Sequence, residues 1–166
     1  IVAGALARET GRPSAVIGLT EARGVGSARG GAGQSLLPAL AASDSLRLVG
    51  VVSASGTSAR QLAEKGSGVF ASTDYEEALA RPEVDAVLLA TRHHLHVPQA
   101  VAAIRAGKHV LVEKPLALDA EGIRLLAVSL RERPVRLAVG FNRRHAPLAR
   151  TLRELLAGRT GPLHGT

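Results

Sequence analysis

Apolar positions along the chain fall into short runs separated by stretches of helical period. "LRLVGVVSAS" (46–55) is a compact apolar run with β-branched residues, bounded by serine, and it predicts a buried strand. "TSARQLAEKG" (57–66) has helical spacing and closes on Gly66. "GVFAS" (68–72) predicts a shorter strand. In "TDYEEALARPEVD" (73–85), Thr73 stands three residues before Glu76, the spacing of a capping box, and Pro82 ends the helix. "VDAVLLAT" (84–91) is continuously apolar, as a strand covered on both faces must be. "HVPQAVAAIRAGK" (96–108) is helical as far as Gly107, and "HVLVEK" (109–114) is a strand. "DAEGIRLLAVSLRER" (119–133) predicts an amphipathic helix with Asp119 as its N-cap. "VRLAVGFN" (135–142) is a further strand, and "APLARTLRELLAG" (146–158) a helix before Gly158. Nearer the N-terminus only "AVIGL" (15–19) is strand-like, and "QSLLPALAAS" (34–43) is helical.

Strands and helices alternate with short connections. That alternation predicts an α/β fold, a doubly wound parallel sheet with helices on both faces. Residues 23–160 are expected to form the domain. Residues 1–22 are an unclear segment or linker, and 161–166, within "GPLHGT", open a second domain that is cut short. The chain starts on Ile1, and the expectation is a piece of a longer protein.

In a parallel sheet all carboxyl ends lie along one edge, where ligands bind. Here those ends read Ser53-Ala54-Ser55, Thr91-Arg92-His93-His94, Glu113-Lys114-Pro115 and Asn142-Arg143-Arg144. Lys114 is the sharpest candidate. A strand that ends on a carboxylate and an ammonium, then locks on proline, delivers both side chains to the crevice. A lysine at a crevice can stabilise negative charge on a bound oxygen and carry a proton. The plainer alternative is a solvated surface lysine.

The glycine-rich stretch "ARGVGSARGGAGQSLLPAL" (22–40) falls where a dinucleotide site wants G-x-G-x-x-G. Gly24 and Gly26 give the first spacing, but Arg29 stands in the place of the third glycine. Gly30 and Gly33 offer a looser option before the helix, and a glycine loop without a ligand stays open beside it. The second strand ends in "SASGTSAR", with no carboxylate before Glu64. Ser53, Ser55, Thr57 and Arg60 offer donors and a positive charge to a 2′-phosphate, so the cofactor expectation is NAD(P) with a lean to NADP. The alternative is a turn and N-cap with Arg60 in solvent.

Composition adds bounds. The 166 residues suit one domain, and 46 % are apolar, enough for a core. No apolar run reaches the roughly 18 residues of a membrane span, and no signal-peptide layout opens the chain. There is no cysteine, which excludes disulfides and thiolate metal sites. A cytoplasmic location is the default expectation. Net charge is +7, carried almost wholly by scattered arginines. With only Phe70, Tyr75 and Phe141 as aromatics there is no stacking platform, and nucleic acid is not the expected partner. His93, His94 and His109 read as surface or satisfied polar residues. A zinc site from His93, His94 and His96 is disfavoured, because that loop spacing gives no fixed face and no carboxylate stands beside it.

Taken together, "EVDAVLLATRHHLHVPQAVAAIRAGKHVLVEKPLAL" (83–118), "TDYEEAL" (73–79) and "LRLVGVVSAS" resemble the Gfo/Idh/MocA oxidoreductases. "VGFNRRHAPLAR" (139–150) is similar to a subgroup in which this domain can follow a zinc-type alcohol dehydrogenase domain. The resemblance runs from about residue 33 to 166 and implies the family's Rossmann-like nucleotide domain, with the substrate domain lying outside it. It implies that Lys114 lies by the nicotinamide and assists proton transfer at the substrate oxygen. Glu113 and Pro115 would shape the cofactor pocket, Thr91, Arg92 and His96 would flank the dinucleotide, and Asn142 and Arg143 would face cofactor or substrate. The glycine region departs from the family pattern: an ungapped placement through "LLPAL" puts Ser27 and Arg29 where its first two glycines belong. The implied partner is a sugar- or polyol-type small molecule, with self-association an option for a longer protein and no membrane or metal. The leading function is the nucleotide-binding domain of an NAD(P)-dependent oxidoreductase, inactive by itself. The alternatives are a non-catalytic Rossmann-like domain and a basic nucleic-acid module.

Overall fold

The computed structural model describes residues 14–20, 46–54, 56–64 and 69–161. Six strands are present: β1 (Ser14–Thr20), β2 (Leu46–Val52), β3 (Phe70–Ser72), β4 (Ala86–Ala90), β5 (His109–Val112) and β6 (Leu137–Val139). Among them run α1 (Gly56–Ala63), α2 (Tyr75–Ala80), α3 (His93–Arg105) and α4 (Ala120–Glu132), and a 3-10 turn (Asn142–His145) leads into α5 (Pro147–Leu155). The strands form one sheet in the order β3-β2-β1-β4-β5-β6. Every pairing is parallel. This is the expected doubly wound, Rossmann-like arrangement, and the winding direction reverses between β1 and β4.

The centre of the sheet explains its composition. Ala86, Val87, Leu88 and Leu89 of β4 are all buried, as a strand between two helical layers demands. Val110 and Val112 of β5 join Val87 and Leu89 in one cluster with Ala100, Ala103 and Ile104 of α3 and Leu126 of α4. Gly50 in β2 makes room for Phe70: a Cβ at Gly50 would lie 2.1 Å from that ring. The Arg81 guanidinium covers the same ring at 4.0 Å.

Local chemistry departs from the pattern in several places. β1 comes from residues 1–22, the stretch expected to be an unclear segment or linker. It hydrogen-bonds to strands on both sides, β2 and β4, a pairing that no local pattern displays. The N-cap of α2 is Asp74, not Thr73. Its carboxylate accepts from the N–H groups of Glu76 (2.9 Å) and Glu77 (3.3 Å), while its own N–H donates to the Ser72 hydroxyl at 3.0 Å, so the N-cap forms without the reciprocal bond of a capping box. Asp119 caps α4 as expected, accepting from the Gly122 N–H at 2.7 Å. α3 begins at His93 rather than His96, and the histidines of "HHLH" form its first turn. It stops at Gly107, whose φ of 75° favours glycine. β6 ends at Val139, and Asn142 opens the 3-10 turn instead of closing a strand. The glycine stretch, Ser55 and Gly66 lie outside the described residues. Among the described residues, no helix is long and apolar enough to cross a membrane.

Candidate functional site

Because the sheet is wholly parallel, the ends of β2, β4, β5 and β6 share one edge. They occupy four of its six strands, on both sides of the β1–β4 reversal. Crevices at such a reversal are where open α/β sheets bind ligands.

At the end of β2, Ser53 is 3 % exposed, and its N–H donates to the Ser72 carbonyl at 3.1 Å. It fastens β2 to β3. Ala54, Thr57 and Arg60 are exposed beside it, the last two on α1. Gly30, Gly33 and Ser55, expected to join them, lie outside the described residues.

At the end of β4, the Thr91 hydroxyl donates to Gln99 Oε1 at 2.6 Å. The Gln99 carbonyl in turn accepts from the Tyr75 hydroxyl at 2.8 Å. Burial, with a smaller contribution from the Glu76 carboxylate, pushes the Tyr75 hydroxyl well above the usual phenol range, so it stays a donor. Arg92 caps α3 with extended backbone and is exposed. His96 has no exposed surface. Its Nδ1 lies 2.7 Å from the Pro115 carbonyl oxygen and its Nε2 lies 3.1 Å from that of Thr91.

At the end of β5, the Glu113 N–H donates to the Leu89 carbonyl at 2.9 Å. The Glu113 carboxylate accepts from the Lys114 N–H at 3.3 Å and from Asn142 Nδ2 at 3.4 Å. It lies over Gly140, where a Cβ would come within 3.2 Å of it. Lys114 is exposed, and the peptide joining it to Pro115 is cis. At the end of β6, Arg144 folds back: its guanidinium donates to the carbonyls of Phe141 (3.3 Å) and Val139 (3.2 Å). Arg143, its neighbour, is exposed.

The sequence-predicted residues thus fall into two groups. Thr91, His96, Glu113, Pro115 and Asn142 gather around Lys114, His96 in contact with the Thr91 and Pro115 carbonyls and Glu113 bonded to Asn142. Ser53 and Arg60 stand at the end of β2, three strand spacings from β5, or about 14 Å at ~4.8 Å per spacing. That separation leaves room along the edge for an elongated ligand. The residues that pattern reading missed are Gln99 and Tyr75, which tie down Thr91, and Gly140, which admits the Glu113 carboxylate. Only Gly140 left a signal, as a glycine at the end of a strand.

A separate open cavity of about 340 Å³ lies between the first turns of α3 and α4, lined in part by His93, Val97, Leu118 and Leu125. Of the strand-end residues it takes in only His93 and His94, and neither Lys114 nor its hydrogen-bonded neighbours. No group of three metal-ligating side chains occurs among the described residues.

Residues 24–141 match the model of an oxidoreductase family with an NAD-binding Rossmann fold. The 1,5-anhydro-D-fructose reductase of Ensifer adhaerens is 45 % identical over 116 residues, which are 67 % of this chain and 34 % of the reductase. Among solved structures, KijD10, a 3-ketoreductase from Actinomadura kijaniata in complex with TDP-benzene and NADP, superposes with a TM-score of 0.72 at 30 % identity. It covers 87 % of this chain and 43 % of its own. GenD2 from gentamicin A biosynthesis, in complex with NAD, gives 0.74 at 34 % identity, covering 88 % of this chain and 39 % of its own. The chain spans about a third of the length of the curated relatives it matches. With the sheet order, the strand-end residues and these likenesses together, the chain belongs to the Gfo/Idh/MocA oxidoreductases and carries their NAD-binding Rossmann domain.

Proposed function

We propose that this chain is the nucleotide-binding part of an NAD(P)-dependent oxidoreductase that moves a hydride to or from a carbinol of a sugar or polyol. The observation that carries the proposal is the setting of Lys114. The residues on either side of it are held by hydrogen bonds, while its own side chain stands exposed at the carboxyl edge. A nicotinamide, when bound, supplies the hydride acceptor or donor. Lys114 donates a hydrogen bond to the substrate oxygen, stabilises the charge that develops there, and gives or takes its proton. Glu113 and Asn142 fix the β5 and β6 ends beside it, and Thr91 and Arg92 form the floor at β4. Arg143, exposed next to Asn142, faces cofactor or substrate. The relatives' names, an anhydrofructose reductase and a 3-ketoreductase, support a sugar-type substrate.

At the β2 end the exposed Thr57 and Arg60, with no carboxylate between Val52 and Glu64, favour NADP(H) over NAD(H). Nicotinamide fluorescence during titration with NADPH and NADH tests the assignment. Binding of either cofactor supports it; no binding of either sinks it. A second reading, a non-catalytic Rossmann-like domain, is favoured by one feature, the Ser27 and Arg29 departures from the glycine pattern. It takes over if cofactor binding fails while the fold is intact.

A further inference from the structure

His96 is the one histidine among the described residues that is wholly buried. Both of its ring nitrogens face backbone carbonyl oxygens. A carbonyl only accepts, and a neutral imidazole carries a single N–H. We assign that hydrogen to Nδ1, whose contact of 2.7 Å with the Pro115 carbonyl is the shorter of the two. Pro115 directly follows Lys114.

On the other side of Lys114, Glu113 is already fixed, by its N–H to Leu89 and by its carboxylate against Asn142. Among the described residues, the His96 contact is what ties the far side of Lys114 to a neighbouring element. The ring sits in the first turn of α3, its unprotonated Nε2 packed 3.1 Å from the Thr91 carbonyl without a hydrogen bond, with the His93 ring edge-on at 5.6 Å. Thr91 is anchored in turn through Gln99 to Tyr75. We infer that His96 is a positioning residue for Lys114: its Nδ1–H ties the Pro115 carbonyl to α3 and so aims the lysine at the crevice. This rests on the reading that Lys114 works there.

Two substitutions separate the ring's two contacts. Asparagine places an amide nitrogen where Nδ1 stood, and glutamine places one nearer the former Nε2. Amide hydrogen exchange on the 166-residue chain, followed by NMR, reads the result. His96→Asn is expected to keep the protection of the Glu113 and Lys114 amides close to that of the unmodified chain. His96→Gln is expected to lower it by about tenfold, the worth of one hydrogen bond, while β2 and α4 keep theirs. Equal protection in both variants overturns the inference, and so does a loss in His96→Gln that spreads equally over β2 and α4. A fold too weak for exchange measurement in either variant is a global loss of the same kind and counts against it. An NADPH titration of the unmodified chain keeps the two proposals apart. Failure to bind there removes the cofactor reading, while the split between Asn and Gln alone decides the tie.

Discussion

Two glycines set how closely side chains approach the sheet, and replacing them separates stability from function. A methyl group at Gly50 would stand 2.1 Å from the Phe70 ring, which the Arg81 guanidinium also covers. Gly50→Ala is therefore expected to cost about 1–3 kcal/mol, the usual range for overpacking, read as a lower urea midpoint with an unchanged slope. At Gly140 the colliding atoms are the end of the Glu113 side chain, at 3.2 Å. That end can swing away at small cost, so Gly140→Ala should weaken cofactor binding more than folding. Arg60→Ala bears on cofactor choice. NADPH is expected to bind the unmodified chain more tightly than NADH at low salt. The variant should lose most of that preference, about tenfold or more for one charge-assisted contact. Equal affinities in the unmodified chain would refute it. The address of Lys114 was legible in the sequence because strand, charge and proline follow one another without interruption. The place of His96 was not, since its partners are backbone carbonyls of two other segments, which carry no sequence signature.

Helices of similar pattern carry different weight. α5 presents Leu148 and Leu155 at 85 % and 74 % exposure, with Leu152 also exposed, and it buries no residue. Leu152→Ala is expected to change stability by less than about 0.5 kcal/mol. Leu89→Ala, in the centre of β4, should cost about 2–5 kcal/mol in the same urea melts. A large loss at Leu152 would show that something covers the stripe in solution. Around α2, hydrogen bonds from the Ser72 hydroxyl and from Arg81 hold the Glu77 carboxyl below its usual value of 4.5. The Glu83 carboxyl is likewise lowered, by its own backbone N–H and by Arg81. A depressed carboxyl contributes stability that is present above 4.5 and is lost as pH falls through the lower folded value. Arg81→Ala should shift both carboxyl titrations upward, as followed by carbon NMR. No upward shift at either would remove the assigned cause. Sequence period located most of these helices, because amphipathic spacing survives without knowledge of the neighbours. It mistook the start of α3, where three histidines in four residues look polar although one is fully buried. β1 was only half visible, a five-residue apolar run whose importance comes from partners far away in the chain.

The assembled sheet edge provides a place to lay a dinucleotide and one exposed ammonium, and this bounds what the 166 residues can do. Hydride transfer needs the substrate carbon held within reach of the nicotinamide. Positioning of that kind supplies as much as roughly 7–11 kcal/mol of barrier lowering. On the described residues, the groups around Lys114 are Thr91, His96, Glu113, Pro115 and the 3-10 turn opened by Asn142, all from the same edge of the sheet. None of them encloses a sugar from the opposite side, and Lys114 and Arg143 stand exposed. The chain spans about a third of its curated relatives, which leaves most of their length to supply such contacts. The expected behaviour is therefore binding without turnover. NADPH fluorescence should respond to the chain, while oxidation of glucose or inositol with NADP, followed at the nicotinamide absorbance, should stay at the blank rate. Turnover that survives Lys114→Ala would point to a contaminant. Turnover that vanishes with Lys114→Ala would show that one sheet edge suffices to orient the substrate, and it would overturn the expectation.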